Sequence, residues 1–313
     1  MVRGVDEYPR NLVEFERRFA QEDDCWDFLR AVRWPGGFAC PACGSENALS
    51  VRRDLWRCSG CQRETSVTSG TILAGSHLPL QIWFRAMWQV TQSKQGCSAL
   101  ELQRALGLGS YRTAWLLLHK LRRAMVRPGR ELLQGEVDVD EFYWGAPERG
   151  KNGRQSGTKQ LIVVAAEVFG AKLGRIRLQN VPTAAAADLV DFIRATVGAG
   201  TRVRTDAWRG YASLAKAGFR HEVVNLRGDG ALAVELLPSV HLVASLFQRW
   251  LLTTHQGAIQ PAYLPHYLEE FAFRFNRRTS HFRGLLFLRL LQQAVQRTPL
   301  PARKIRPATT PSG

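Results

Sequence analysis

Four cysteines constrain this chain more tightly than any other feature. They stand as Cys40-x2-Cys43 and Cys58-x2-Cys61, with 14 residues between the pairs, a spacing close to that of a zinc ribbon. Each pair is a tight knuckle, Cys40-Pro41-Ala42-Cys43-Gly44 and Cys58-Ser59-Gly60-Cys61. Pro, Gly and Ser permit the turn that aims two thiolates at one ion. The segment between them, Leu49 to Trp56, reads as short and strand-like, as a ribbon hairpin requires. Two disulfides are the competing reading, which a cytoplasmic chain disfavours. A four-thiolate zinc site is closed, so it holds a fold and does no chemistry. Cys25 and Cys97 have no partner spacing and read as core or incidental thiols.

Charge points to the partner. The chain carries 43 basic against 27 acidic residues in 313, a net charge of +16, and Arg greatly outnumbers Lys, which suits bidentate phosphate contacts. Nucleic acid is the expected partner. The rival, an anionic membrane, is disfavoured because no apolar run approaches 18 residues and the N-terminus lacks a signal-peptide core. A cytoplasmic, nucleoid-associated protein is expected. Two blocks are basic throughout: Arg104 to Arg130 holds seven basic residues and Arg274 to Arg306 nine, each without an acid.

The first block coincides with a helical pattern. Asn11 to Val32 reads as two short helices and Leu80 to Gln92 as an aromatic-rich one. Ser98 is an N-cap completed by Glu101, Gly107 to Ser110 is a tight turn, and a second helix runs from about Tyr111 to Val126. Helix, Gly-containing turn and basic helix predict a helix-turn-helix, with Arg112, Lys120, Arg122 and Arg123 as DNA contacts. An ordinary helical hairpin is the plainer reading.

Beyond Pro128-Gly129 the chemistry changes. Val137-Asp138-Val139-Asp140-Glu141 alternates apolar and acidic residues, which predicts a strand with carboxylates on one face. Crowded carboxylates repel one another unless a hard divalent cation sits between them. Asp206 closes a second predicted strand, Thr201 to Thr205, where a further ligand is expected. Strands are predicted at Leu161–Val168, Arg175–Val181 and His221–Asn225, and helices at Ala184–Val197, Tyr211–Ala217, His241–Leu252 and Leu264–Asn276. Gly150 to Thr158 reads as a flexible basic loop. Such an order suits an α/β sheet with helices on its faces, and acids on two strands of a DNA-binding protein suggest two-metal phosphoryl transfer.

These stretches together resemble the IS1595 family of insertion-sequence transposases, with an ISXO2-like DDE-type domain. The resemblance runs nearly end to end: Arg33-Trp34-Pro35, the Cys40 knuckle, Ser69-Gly70-Thr71-Ile72, Thr113-Ala114-Trp115 through His119-Lys120-Leu121-Arg122, and Val139-Asp140-Glu141. It continues through Thr254-His255-Gln256-Gly257-Ala258, Tyr267-Leu268-Glu269-Glu270-Phe271 and Phe273-Arg274-Phe275-Asn276-Arg277-Arg278. It implies an RNase H-like mixed sheet with flanking helices, preceded by the zinc ribbon and the helix-turn-helix. It further implies Mg²⁺ or Mn²⁺ dependence, cut-and-paste movement of double-stranded insertion-sequence DNA, and a homo-oligomer on that DNA. By position Asp140 and Asp206 match the first two catalytic acids and the catalytic metal ligands. Arg274, Arg277 and Arg278 join the candidate DNA contacts.

The chain departs from the family at the third ligand. Leu246 stands where Asn is expected, Gln248 where Lys is, Thr253 and Ala207 where Gly is. His241 is the candidate third catalytic residue on that helix, with packing or capping as its other reading; Glu235 is a further candidate. Domains are expected at 1–35 (helical), 36–66 (zinc ribbon), 78–128 (helix-turn-helix) and 132–298 (catalytic), with a disordered tail at 299–313. A relative that binds DNA without cutting it is the alternative to an active enzyme.

Overall fold

The N-terminal helices begin where the sequence supplies caps. In the computed structural model, which describes residues 8–52, 54–127, 129–145, 159–224, 237–257 and 259–305, α1 (Leu12–Arg18) starts at Asn11, whose side chain accepts the Glu14 N–H at 3.0 Å. Helix α2 (Glu22–Arg33) opens on Glu22, Asp23 and Asp24, acids that suit the positive end of a helix. The ribbon follows as a three-stranded antiparallel sheet, β1 (Ala48–Arg52), β2 (Leu55–Cys58) and β3 (Glu64–Ser66). Arg33 at the end of α2 donates to the carbonyls of Ser66 and Val67, and Trp34 meets Trp56 edge-on at 5.3 Å. The small sheet is thereby tied to α2.

Helix α3 (Leu80–Gln92) has Pro79 at its N-cap, with no side-chain cap of its own. The Glu22 carboxylate fills that role from 58 residues away, accepting the N–H groups of Leu80 and Gln81 at 2.6 and 2.9 Å, donors that a helix start otherwise leaves unpaired. Helix α4 (Ala99–Ala105) has the expected Ser98–Glu101 capping box. The chain then turns through Gly107, at φ +60°, into α5 (Tyr111–Ala124), capped by Ser110. The two helices and their tight turn lie where the spacing places them.

A second compact unit spans 128–279. Its strands are β4 (Glu136–Trp144), β5 (Gln160–Phe169), β6 (Lys172–Val181), β7 (Arg202–Thr205) and β8 (Arg220–Val223), in the order β6-β5-β4-β7-β8. The β6-β5-β4 part is antiparallel; β4 pairs with β7, and β7 with β8, in parallel. Helix α6 (Ala186–Thr196) covers one face, and α7 (Pro238–His255) and α8 (Leu264–Phe275) cover the other. Strand β5 shows why: Leu161, Val163 and Ala165 enter the core with α6, whereas Ile162, Val164 and Ala166 enter the core with α7 and α8. Successive strand residues point to opposite faces, so an uninterrupted apolar run is needed when both faces are covered. The predicted helix at Tyr211–Ala217 is instead a 3-10 turn, Arg209–Tyr211, followed by turns up to Gly218. Its Tyr211 and Leu214 spacing suits a helix, but both residues pack into the α6-side core from turns.

After Thr279 the chain rejoins the first unit. Helix α9 (Arg283–Gln296) inserts Phe287 into a cluster with Phe15, Phe28, Phe84 and Trp88. Residues 283–296, grouped on the sequence with the catalytic domain, thus complete the N-terminal core. Part of the expected disordered tail is ordered as well: Ala302–Ile305 forms a short turn of helix, α10, with Ile305 buried, and residues 306–313 lie outside the described residues, as do 150–158 of the predicted basic loop.

Two outcomes test this architecture. Phe287→Ala removes a fully buried ring and should cost about 3–5 kcal/mol, read as a lowered Tm of the zinc-ribbon-containing unit although the residue lies far beyond it in sequence. Glu167 gives a pH signature. Burial alone would raise its pKa, but Arg175 and the N–H groups of Gln134 and Arg175 hold it below the usual 4.5. A depressed carboxylate pKa contributes stability that is present above the unfolded value and lost as pH falls through the folded one. The gap in unfolding free energy between the native chain and Glu167→Gln should therefore be about 1–3 kcal/mol near neutrality and close below about pH 4 in urea titrations.

Candidate active site and metal centre

The parallel pairing of β4 with β7 lines up two short sequences, Glu-Val-Asp-Val-Asp and Arg-Val-Arg-Thr-Asp. Glu136 stands opposite Arg202, Val137 opposite Val203 and Asp138 opposite Arg204. Extending that register by two residues sets Asp140 opposite Asp206. Along the same ladder, Arg202 and Arg204 meet Glu136 at 3.2 and 2.6 Å, and Arg204 meets Asp138 at 3.4 Å. Opposite charges face each other at the two charged steps of the ladder, and the extended register would add a like-charge step, unfavourable on its own. Phe142 and Trp144 pack with α7 and α8, so the even-numbered residues of β4, Asp140 included, lie on that face.

Helix α7 runs along the same face in the same direction as β4. The Ser239 hydroxyl donates to Asp138, His241 Nε2 lies 3.9 Å from Asp140 Oδ2, and the Phe247 ring meets Trp144. The structure therefore brings Asp140, midway along β4, together with His241, while Asp206 directly follows β7. Leu246, in the place expected of a polar ligand, packs against the apolar cluster under α7. Glu235 lies outside the described residues.

Neighbouring acids are held by groups the sequence did not single out. Burial pushes the pKa of Asp138 up, against the pull of Ser239 and Arg204. On the opposite face of β4, Glu141 accepts the Tyr211 hydroxyl at 2.5 Å. Burial, followed by the charges of Glu141, Asp140 and Asp206, raises the Tyr211 pKa well above its usual value, which places that hydroxyl within electrostatic reach of all three acids. Asp206 accepts the Trp208 N–H at 3.0 Å and Asp140 the Glu141 N–H at 2.8 Å, fixing each carboxylate through one oxygen. Among the described residues, only the four cysteines bring three or more candidate ligand atoms within 4.8 Å of one another. Asp140, Asp206 and His241 are not drawn that close, as mutually repelling carboxylates require.

The cysteines fit a metal directly. Sγ separations are 3.6 Å for Cys40–Cys61 and 3.5 Å for Cys43–Cys58, against edges of about 3.8 Å for a tetrahedron with Zn–S near 2.3 Å. The N–H groups of Cys61 and Gly60 hold the Cys58 thiol at about 6 despite burial. The Ser45 N–H lowers Cys43, but its thiol neighbours outweigh it and push it up to about 12. Four thiols this close cannot all ionise without a cation, and Zn²⁺ supplies the missing positive charge. Cys25 and Cys97 are buried core thiols, as expected, and burial pushes Cys25 up to about 12.

Comparison with known proteins matches two stretches of the chain. Residues 20–64 match the transposase zinc-ribbon domain, and residues 132–276 match the ISXO2-like transposase domain of the IS1595 family. The chain belongs to the IS1595 transposase family. It is also 27% identical over 284 residues to an uncharacterized protein in transposable element ISH50 of Halobacterium salinarum, covering 82% of this chain and 92% of the relative. Among the described residues no helix is long and apolar enough to cross a membrane.

The family's basic residues divide by exposure. Arg112 and Arg123 are exposed on α5. Arg122 is 2% exposed, which removes it from the expected DNA contacts because its guanidinium lies in the core. Lys120 is half-buried, with its ammonium 5.6 Å from the centre of the Trp83 ring. Arg274 pairs with buried Glu270 at 2.9 Å and its side chain is 13% exposed. Arg277 donates to the Phe273 carbonyl, and Arg278 to the carbonyls of Leu173, Gly174 and Phe275. These last two satisfy the C-terminal carbonyls of α8 and, through Arg278, fasten that helix to β6; this accounts for the arginines without DNA. A direct test of the metal centre is its metal content. Zinc measured by atomic emission should approach one per chain and be lost with Cys58→Ser, and chelation should melt the ribbon while the 128–279 unit keeps its thermal transition.

Proposed function

We propose that this chain is a DDE-type transposase that binds the double-stranded terminal repeats of its insertion sequence and cuts and joins them in a metal-dependent reaction. The observation that carries this reading is the end of β7 beside β4, where Asp206 follows the strand just past the Asp138–Arg204 step and Asp140 lies with His241 beside it. The sheet order β6-β5-β4-β7-β8, three antiparallel strands followed by two parallel ones, supports an RNase H-like domain. The carboxylates are hard oxygen donors suited to Mg²⁺ or Mn²⁺, with the imidazole of His241 as a further ligand. Divalent cations held there would activate a water or a 3′-hydroxyl and neutralise the leaving oxygen.

The surrounding residues act by holding that site in shape. Arg204 and Ser239 neutralise Asp138, and Tyr211 occupies Glu141, so that the end of the ladder is reserved for Asp140 and Asp206. DNA is held by α4, its turn and α5 acting as a helix-turn-helix. Arg112 and Arg123 lie eleven residues apart, about three turns, and so face the same side about 16 Å from one another, suitable for two phosphates. The enzyme acts as a homo-oligomer on paired DNA ends, in the cytoplasm.

The test is cleavage of duplexes bearing the inverted repeats that flank the coding sequence. Asp140→Asn and Asp206→Asn should each reduce Mg²⁺- or Mn²⁺-dependent cleavage at least about 100-fold, the loss expected when about 3 kcal/mol of transition-state stabilisation is removed. Salt-sensitive DNA binding with no cleavage by the native chain would instead establish the binding-only reading.

A further inference from the structure

The elements that build the acidic site continue past it and enclose a second feature. A cleft of about 530 Å³ opens where β4 ends, lined by Tyr143, Trp144 and Gly145 from β4 and its exit, Gln160 from β5, and Gln248 and Leu252 from α7, with Gly257, Ile259, Pro261 and Leu264 closing it. That volume lies in the range of small-ligand sites. Gly145 shapes one wall: its φ is +141°, and a Cβ there would come within 3.2 Å of the Lys159 Cα.

The lining is selective by chemistry. None of its ten residues carries a charge, so the cleft does not attract a phosphate. It offers the Trp144 ring and two carboxamides; Tyr143 lines it from the strand but packs its ring on the α6 face. Aromatic rings stack on bases of any sequence, and a carboxamide presents a donor and an acceptor side by side, as a base edge does. Position agrees with chemistry. Trp144 lies four strand residues beyond Asp140, about 13 Å, and Gln248 lies seven helical residues beyond His241, about 10 Å. At 3.4 Å of rise per nucleotide, a strand with its phosphate at Asp140 reaches the cleft within about four nucleotides.

We propose that this cleft takes one unpaired DNA base, extruded from the duplex near the cut, stacked by Trp144 and read at its edge by Gln248 and Gln160. This deepens the transposase reading and rests on it. Extrusion costs unstacking and unpairing, which the stacking and edge contacts offset. Gln248 then has a use that a charged side chain at the same place would not serve, since a neutral amide pairs with a base whereas Lys seeks phosphate.

The test is binding, measured without metal, of the full chain to a duplex carrying one unpaired 2-aminopurine and to the fully paired duplex of the same sequence. The native chain should prefer the unpaired probe by roughly fivefold to 150-fold, as one stacked base would give, and quench its fluorescence. Trp144→Ala and Gln248→Leu should each bring the ratio of the two affinities towards one. Trp144 also packs on Phe247, so Leu252→Trp, which fills the cleft from an exposed position, provides a variant that removes no core ring and should have the same effect. A ratio of one in the native chain, or a ratio unmoved by all three variants, overturns the proposal. If the ratio is one while Asp140-dependent cleavage of inverted-repeat DNA persists, only this proposal fails; if neither duplex binds, the transposase reading fails with it.

Discussion

The parallel pairing of β4 with β7 is the constraint on which the rest of the second unit depends. Two strands far apart in sequence bring their charges together residue by residue: Glu136 with Arg202, Asp138 with Arg204. A slip of two residues one way would set Asp138 against Asp206, and a slip the other way would move Glu136 from Arg202 to Gly200 and set Phe142 against Asp206. A slip of one would turn Val137 and Val139 out of the α6-side core. Charge and burial therefore select the same register, which, carried two residues past the observed ladder, would bring Asp140 level with Asp206. The strand geometry creates an electrostatic deficit at one place and nowhere else along the ladder.

Much of this was legible in the sequence because the relevant signals are local. Cysteine spacing specifies a tetrahedral site without reference to the rest of the chain, and alternation of valine with acid specifies a strand with one acidic face. What failed was each inference in which the answer depends on a distant partner. Helix α9 has an ordinary apolar stripe, and nothing in it says that Phe287 belongs with Phe15 and Phe84 rather than with the sheet. Arg122 reads as one more base in a basic helix until packing buries it. Arg277 and Arg278, expected as DNA contacts, also donate to the last carbonyls of α8, a second role that the sequence did not show. Composition measures how much positive charge a chain carries, but it does not say which cations are used internally.

The third position of the acidic site shows the same division. The sequence marked Leu246 as a loss and His241 as the candidate ligand. Leu246 faces the apolar cluster beneath α7, so its hydrocarbon side chain serves packing at that position. His241 starts the helix beside Asp140, because α7 follows β4 in the same direction with Ser239 fastened to Asp138. Neither Ser239 nor Tyr211 carried a motif that would have drawn attention; each matters through a single hydrogen bond to an acid that neighbours Asp140.

Those two bonds bear on how the unit tolerates so many carboxylates. Five acids, Glu136, Asp138, Asp140, Glu141 and Asp206, lie along the first six residues of β4 and just past the end of β7. Left alone they would strain the sheet, since like charges at close range in a partly buried setting repel strongly. The chain disposes of three locally: Glu136 to two arginines, Asp138 to Arg204 and Ser239, Glu141 to Tyr211. Repulsion then remains concentrated between the two acids that a cation would bridge. On the proposed reading, a metal bound there would offset that repulsion, coupling metal affinity to the stability of the sheet. Acids elsewhere on the ladder are held in place by side chains; on the proposed reading a divalent ion would join Asp140 and Asp206 as well.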